Sequence, residues 1–436
     1  MRRWGKRILV FFILGLIVFF ILLESASILV PKIPVGKKES IGLVGAYRLE
    51  SLPPSIFSEI SRGLTYIAED GTPLPDLAQS WEVKQDGKVY IFHLKRDIYF
   101  NDGSLFKSDQ VNYNFSDVSV SRPDKYTIVY TLKESFSPFL TKVSRPLLKN
   151  NFAGIGDYKI KDLKLNGNFV ESLTLSSVKN QYNIRVYHFY STQEALKLAF
   201  SMGEVSDAVG LTDTTFKDTS FNNFPNTQVA RIVNYNKLVT LFFNTQDGTL
   251  SNEKVRSGLA YALPESFPQG KRTYSPYPTS LWVYAETQQE KHEDIPHAKL
   301  LLNGAANGNS EKSLHLTIKT LPQYAKIAKE ITKAWEQLQV KTTIEEVDKV
   351  PTQFQVFLGE FSVPRDPDQY SLWHKDQENN ITSYANLRID RLLEEGRREI
   401  NPEARKKIYA DFQKYLLADS PAAFLYFPYE YEIVRK

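Results

Sequence analysis

Residues 63–115 read GLTYIAEDGTPLPDLAQSWEVKQDGKVYIFHLKRDIYFNDGSLFKSDQVNYNF. Asp-Gly pairs fall at Asp70-Gly71, Asp86-Gly87 and Asp102-Gly103. Glycine takes positive φ without a Cβ penalty and aspartate tolerates the neighbouring geometry, so each pair marks a tight turn. Between the second and third turns, residues 88–95 are aromatic and β-branched, the composition of a packed strand. Pro73 and Pro75 fix φ ahead of a short apolar run at Leu77, Ala78 and Trp81. The stretch is a compact β-rich unit punctuated by tight turns, and it holds no catalytic constellation.

Outward from this unit the hydrophobic period changes. Residues 41–47, 126–132 and 184–189 read as strands. Ser191 and Glu194 fit a capping box, and Ala195, Leu196, Leu198, Ala199 and Met202 form a helical core stripe that Gly203 ends. Residues 207–210 return as a strand. The β-α-β order recurs with a strand at 314–320, a helix burying Tyr324, Ile327, Ala328, Ile331, Trp335 and Leu338, and a strand at 340–347. That order predicts a parallel pair with a right-handed crossover. Asn401 as N-cap, with Pro402 at the first helical position, opens a helix with Ile408, Phe412, Tyr415 and Leu416 inward. Residues 274–284 (YSPYPTSLWVY) read as loop, residues 304–310 as a flexible connector, and Arg256 as a structural charge.

The chain has 436 residues, enough for two or three domains with cores of their own. Its formal charge of +4 is spread along the chain and marks no nucleic-acid partner. With no Cys, disulfides, thiolate metal sites and a Cys nucleophile are excluded. Of the 6 His, only His292 and His297 lie close in sequence, in a polar loop without suitable acidic support for a metal. Walker, GxSxG and GxGxxG motifs are missing. The chain therefore reads as a non-enzyme without cofactor or metal. A glycosidase carboxylate pair needs only spatial proximity, which keeps an anchored hydrolase open as an alternative.

Arg2, Arg3, Lys6 and Arg7 precede an apolar run over residues 8–23 that Glu24 breaks. Flanking positive charge predicts a cytoplasmic N-terminus, a single membrane pass and an external body. Residues 1–30 are read as an uncleaved anchor, with a signal peptide cleaved near Ser25-Ala26-Ser27 as the alternative. Residues 31–38 read as a short stalk.

The landmarks Gly63-Leu64, Asp70-Gly71, residues 75–82, 86–95 and 100–103, and Asp109 with Val111 occur in an order that resembles the extracellular solute-binding proteins of family 5. Gly203-Glu204-Val205-Ser206-Asp207, residues 238–244, Val255-Arg256, Asp366-Pro367, Asn386 with Asp390, Arg405 with Tyr409, and residues 421–428 continue the series. Residues 154–160 (GIGDYKI) match a family landmark imperfectly, with Ile155 and Asp157 in place of Thr and Pro. The resemblance implies an α/β, two-lobed periplasmic-binding-protein type II fold with an extra β-rich subdomain, preceded here by one N-terminal transmembrane helix. Its expected divisions are an anchor or signal (1–30), a linker (31–40), lobe I (41–66 and 150–237), the β-rich subdomain (67–149), lobe II (238–423) and a C-terminal return to lobe I (424–436). Hinge strands are expected near 238–244 and 424–427.

The implied role is capture of a short peptide, or a similar small solute, for an ABC importer with its permease and ATPase subunits, by a monomer. Trp282, Tyr284, Arg365, Asp366, Trp373, Tyr384 and Asn386 are the ligand-binding candidates. Asp366 has a second reading as a turn cap before Pro367, and Arg365 suits a carboxylate or phosphate. In several peptide-binding relatives an acid three positions before the Asp-Pro pair meets the ligand's amino group; Val363 stands there in this chain. The missing Cys closes the usual lipoprotein tether, and the chain stops at Lys436 soon after its last landmark. Both features leave open a membrane-anchored sensing or adhesion ectodomain.

Overall fold

The computed structural model describes residues 11–22, 24, 36–149, 152–305 and 314–436. Among these, one mixed sheet of 12 strands carries most of the body. Its order runs Lys341–Glu346, His315–Thr320, Val356–Ser362, Lys237–Phe243, Ala422–Arg435, Asp207–Leu211, Lys38–Val44, Ile184–Tyr190, Phe169–Ser177 and Tyr158–Asn166. Thr227–Val233 and Gly270–Arg272 also pair with Ala422–Arg435.

The 14-residue strand Ala422–Arg435 joins two halves. Its first part pairs with Lys237–Phe243, and its last part with Thr227–Val233 and Asp207–Leu211. The chain crosses a second time at residues 234–236, where Asn234 Nδ2 donates to Glu430 Oε1 at 2.5 Å and Val363 N–H to the Asn236 carbonyl at 2.9 Å. The crossings thus lie at 234–236 and beside Pro428, a few residues from the positions expected at 238–244 and 424–427. The reason is burial: six of the seven residues in Lys237–Phe243 are buried. A strand covered on both faces belongs to the middle of a sheet.

Side-chain alternation splits the second half into two cores. Val239, Leu241, Leu316, Ile318, Val356 and Leu358 share one face of the sheet and pack with Ile331 and Trp335 of helix Ala325–Glu336. Leu238, Phe242, Phe357 and Phe361 face Trp373, Leu393, Tyr409 and Phe412. The predicted parallel pair is present, His315 opposite Lys341 and Thr320 opposite Glu346.

In the first half, Lys38–Val44 pairs in parallel with Ile184–Tyr190 and Asp207–Leu211. Helix Gln193–Met202 connects these last two, but Thr192 caps it in place of Ser191, its side chain accepting from Ala195 N–H at 3.1 Å. Gly203 ends it at φ +83°. Leu196, Ala199 and Phe200 face the core, which turns Leu198 and Met202 outward, the latter 68% exposed. The inward place between them belongs to Lys197, held by Glu194 and Asp213 at 2.9 Å each.

The β-rich unit is a separate antiparallel sheet of four strands, Ala78–Lys84, Val89–Leu94, Thr127–Leu132 and Val118–Asp124. Phe139 plugs it, with ring centroids 4.8 Å from Tyr90 and 5.2 Å from Tyr130. Gly71, Gly87 and Gly103 take φ of +83°, +89° and +84°, as the Asp-Gly pairs predict. Asp70 and Asp102 each accept a backbone N–H two residues on, from Thr72 at 2.9 Å and Ser104 at 3.0 Å.

Residues 11–22 are helical, and every side chain among them is exposed. No helix among the described residues is long and apolar enough to cross a membrane. The remainder of the expected span at 1–10, 23 and 25–30, the Ser25-Ala26-Ser27 cleavage alternative, stalk residues 31–35 and connector residues 306–310 lie outside the described residues.

Candidate functional site

The strand Val356–Ser362 leaves the sheet beside the crossing at 234–236 and runs into Val363-Pro364-Arg365-Asp366-Pro367. Asp366 is buried and takes a two-point ion pair from Arg405, Nη2 to Oδ1 at 2.6 Å and Nη1 to Oδ2 at 3.0 Å. Its Oδ1 also accepts Asp368 N–H at 3.0 Å, so the carboxylate caps the turn. Arg405 reaches Asp366 because Asn401 caps the helix Pro402–Asp419, accepting Ala404 N–H at 3.0 Å, and so fixes Arg405 on the inward side of the first turn. Burial opposes the Arg405 charge, but the Asp366 carboxylate outweighs it and raises the guanidinium above its ordinary value. The Trp282 ring lies 5.7 Å from that guanidinium.

Arg365 points outward and is exposed. Its carbonyl packs on Gly71: a Cβ there would stand 2.8 Å from Arg365 O and 2.5 Å from Leu281 Cδ1. Trp282 N–H donates to the Asp70 carbonyl at 2.9 Å. The first Asp-Gly turn of the β-rich unit therefore rests against both the Trp282 loop and Arg365.

A second contact lies at Phe136-Ser137. Ser137 N–H donates to Arg397 O at 2.7 Å and its hydroxyl to Gly396 O at 3.1 Å. Arg397 stacks over Phe136 at 5.2 Å and Tyr370 at 4.2 Å, and its Nε donates to Asp368 Oδ2 at 3.0 Å. Burial raises the Asp368 carboxyl above the usual range, with Arg397 opposing that rise.

Next to this region the aromatic face of the sheet encloses a cavity of about 200 Å³, lined by Phe242, Phe357, Phe361, Leu372, Trp373 and Ile381, with Val350, Glu360, Asn379 and Thr382 completing it. Trp373 Nε1 donates to Gln369 Oε1 at 2.8 Å, and Phe361 stands edge-on to its ring at 6.4 Å. Cavities of this character take apolar or aromatic groups, with the few polar atoms setting orientation.

The seven candidate residues divide by place. Trp282, Arg365 and Asp366 gather where the β-rich unit meets the loop after Val356–Ser362. Trp373 lines the cavity. Tyr384 and Asn386 converge on Asp419 Oδ2, at 2.5 and 2.6 Å, and Asn386 Oδ1 caps helix Leu387–Arg398. Burial, then Asp419, raises the Tyr384 phenol. Tyr284 stands apart, donating to Glu290 Oε1 at 3.3 Å, its pKa pushed up to about 12 by burial and by that carboxylate. Sequence reading missed Phe242, Phe357, Phe361 and Asn379 as cavity walls, and Arg405 as the partner of Asp366. The aromatic alternation of residues 357 and 361 was the available signal. Among the described residues, no group of three His, Asp or Glu side chains could hold a metal ion.

Two half-sheets crossed twice by the chain define a two-lobed α/β body, with the aromatic cavity on its second half. The sequence profile of the bacterial extracellular solute-binding proteins, family 5, matches residues 72–383, and the chain belongs to this family. A probable D,D-dipeptide-binding periplasmic protein of Escherichia coli is 21% identical, covering 80% of this chain and 78% of that protein. Heme-binding protein A of Haemophilus influenzae is 24% identical over 78% of this chain and 76% of its own length. In fold, the chain is similar to a Campylobacter jejuni protein crystallised with a nickel–histidine complex (TM-score 0.73, 22% identity, 92% of this chain and 94% of that one). It is also similar to an ABC transporter substrate-binding protein of Listeria monocytogenes (TM-score 0.76, 19% identity, 92% and 94%).

Proposed function

We propose that this protein captures short peptides, or a similar small solute, between its two lobes and delivers them to the permease of an ABC importer, acting as a monomer. The observation that carries the reading is the aromatic cavity of about 200 Å³ on the second half-sheet of a family 5 chain. Val363, the residue three before Asp366, is 7% exposed and has no charge to offer a ligand ammonium. Arg365 is exposed and positive, which favours a ligand with an acidic group. In this reading Phe361 and Trp373 hold an apolar part of the ligand, Arg365 meets its acidic part, and Trp282 supports Arg405 from behind.

The lobe divisions at 41–66 with 150–237, and 238–423, belong to the same proposal, as does the β-rich subdomain at 67–149. So does a membrane tether. The helix at 11–22 is apolar on every side, a pattern suited to lipid more than to water, although it spans only about 18 Å of a bilayer core of about 30 Å. The tether would put the N-terminus in the cytoplasm and the body outside.

The test is mass spectrometry of material extracted after denaturing the gently purified protein, followed by a thermal shift with a peptide pool. A ladder of short peptides, and stabilisation of about 2.7 kcal/mol at 100 times the dissociation constant, supports the reading. Absence of both removes the peptide assignment.

A further inference from the structure

A second, smaller cavity of about 20 Å³ lies at the start of the crossing strand and shares no lining residue with the aromatic one. Arg272 and Lys291 both line it, with Tyr274, Gln289, Ser420 and Phe424. Arg272 Nε donates to the Pro264 carbonyl at 3.2 Å, and Nη1 to the carbonyls of Phe424 at 2.5 Å, Leu425 at 2.9 Å and Thr273. The Lys291 ammonium donates to the Leu417 carbonyl and sits 5.8 Å from the Tyr261 ring. Every one of these acceptors is neutral. Glu265 and Glu290 are the carboxylates whose charge reaches Arg272, and they lie against His292, at 3.5 and 3.8 Å. Two cations therefore share one cavity; Lys291 meets a carbonyl and a ring, and Arg272 meets carbonyls and the Tyr274 phenol, which in turn donates to Glu265.

We propose that this cavity is a binding site for one monatomic anion of halide size. Volume decides the size class. About 10–15 Å³ admits a single water-sized occupant, so a phosphate, sulfate or carboxylate does not fit. Charge decides the sign: the guanidinium, the ammonium and the Gln289 amide line the cavity and carry N–H groups, while the Ser420 hydroxyl is committed to the Leu417 carbonyl at 3.1 Å. Unpaired cations taken out of water are costly, and an anion between them offsets that cost. The occupant would tie together strand Gly270–Arg272, the segment carrying Gln289 and Lys291, and the first residues of Ala422–Arg435.

Titration of Lys291 supplies an independent check. Burial lowers its ammonium to about 8 and the Arg272 guanidinium to about 10. The charged groups around Lys291 are Glu253 and Arg256 on helix Glu253–Tyr261, Asp419 at the end of Pro402–Asp419, and Arg272 in the strand across the cavity. Asp419 is occupied by Tyr384 and Asn386, and Arg256 by backbone carbonyls. The anion site should therefore be intact at pH 6.5 and fail once Lys291 is neutral.

The experiment replaces gluconate by chloride at constant ionic strength and follows the melting temperature of the full chain. The expected result is a rise of about 2 °C or more at pH 6.5, lost above about pH 10 and lost in Lys291→Met. Equal melting in chloride and gluconate at pH 6.5 overturns the proposal, and so does a chloride response that survives in Lys291→Met. Should that variant not fold, the wild-type pH comparison decides alone: a response unchanged at pH 10 overturns the site.

Discussion

Replacing Arg405 by Met should destabilise the protein by about 3–5 kcal/mol, because it strands the Asp366 carboxylate in the core. The side chains of Arg405 and Asp366 are 7% and 12% exposed, and their nitrogens and oxygens lie 2.6 and 3.0 Å apart. At an effective dielectric of about 20, a unit pair at that distance is worth about 6 kcal/mol, so both routes give the same order. Arg405 also donates to Gly396 O at 2.8 Å, and Asp366 caps Asp368 at 3.0 Å. Each of these hydrogen bonds contributes about 1 kcal/mol net. The double variant Arg405→Met with Asp366→Leu removes both charges and should lose only those two bonds, about 2 kcal/mol. It should thus be more stable than either single variant. Urea unfolding followed by tryptophan fluorescence measures all four proteins, with Trp282 a reporter beside the pair. A single variant costing less than about 1 kcal/mol, or a double variant costing the sum of the singles, would refute the claim that the pair is a desolvated unit.

Other outcomes follow from the same geometry. Arg365→Gln should leave stability within about 0.5 kcal/mol, since the residue is exposed, yet weaken the co-purified ligand by about tenfold or more in calorimetry; unchanged affinity would remove Arg365 from the site. Phe361→Ala opens a packed aromatic wall and should cost about 3–5 kcal/mol in urea unfolding. Gly71→Ala and Gly103→Ala share φ of +83° and +84°, but only Gly71 has neighbours within 4 Å of a Cβ. Gly71→Ala should therefore cost about 1–3 kcal/mol more and speed hydrogen exchange at the Trp282 amide. Lys291 has a folded-state pKa lowered to about 8 from 10.5. A depressed base favours the folded state only where it is neutral. In chloride-free buffer, wild type should gain stability over Lys291→Met from about pH 8 to 10.5, and lose that gain as pH falls through 8.

Local chemistry made much of this fold readable. Asp-Gly turns, the Asn401 cap with Pro402, and the Gly203 helix stop each act within four residues, and each is found where the residues place it. The parallel pair of His315–Thr320 with Lys341–Glu346 followed from period alone. Periodicity failed at helix Gln193–Met202, where Leu198 and Met202 look like core residues. Lys197 occupies the inward position instead, because Glu194 and Asp213 neutralise it there. The site was legible only in part. Asp366 and Arg405 are far apart in sequence, and no local pattern tells a ligand-facing Asp from one committed to a distant Arg. The cavity walls come from five separate segments, and an aromatic lining such as Phe357 and Phe361 has the same composition as an aromatic core.

The contacts of the β-rich unit bear directly on how the proposed cleft would work. That unit touches the Trp282 loop through Asp70 and the end of Leu387–Arg398 through Ser137, and Arg397 joins Phe136, Tyr370 and Asp368 in one cluster. A rigid opening about residues 234–236 and 428 has to break both contacts, or else carry the β-rich unit along with the second half-sheet. Two backbone hydrogen bonds, the Ser137 hydroxyl bond to Gly396 O and one cation–π contact amount to about 4 kcal/mol net. Shifting a two-state equilibrium from almost fully open to almost fully closed takes about 5.5 kcal/mol. The clasp alone is too weak to hold the lobes shut and strong enough to supply about three-quarters of closure. A ligand bound at Phe361 and Arg365 would then provide the remainder, which ties closure to occupancy.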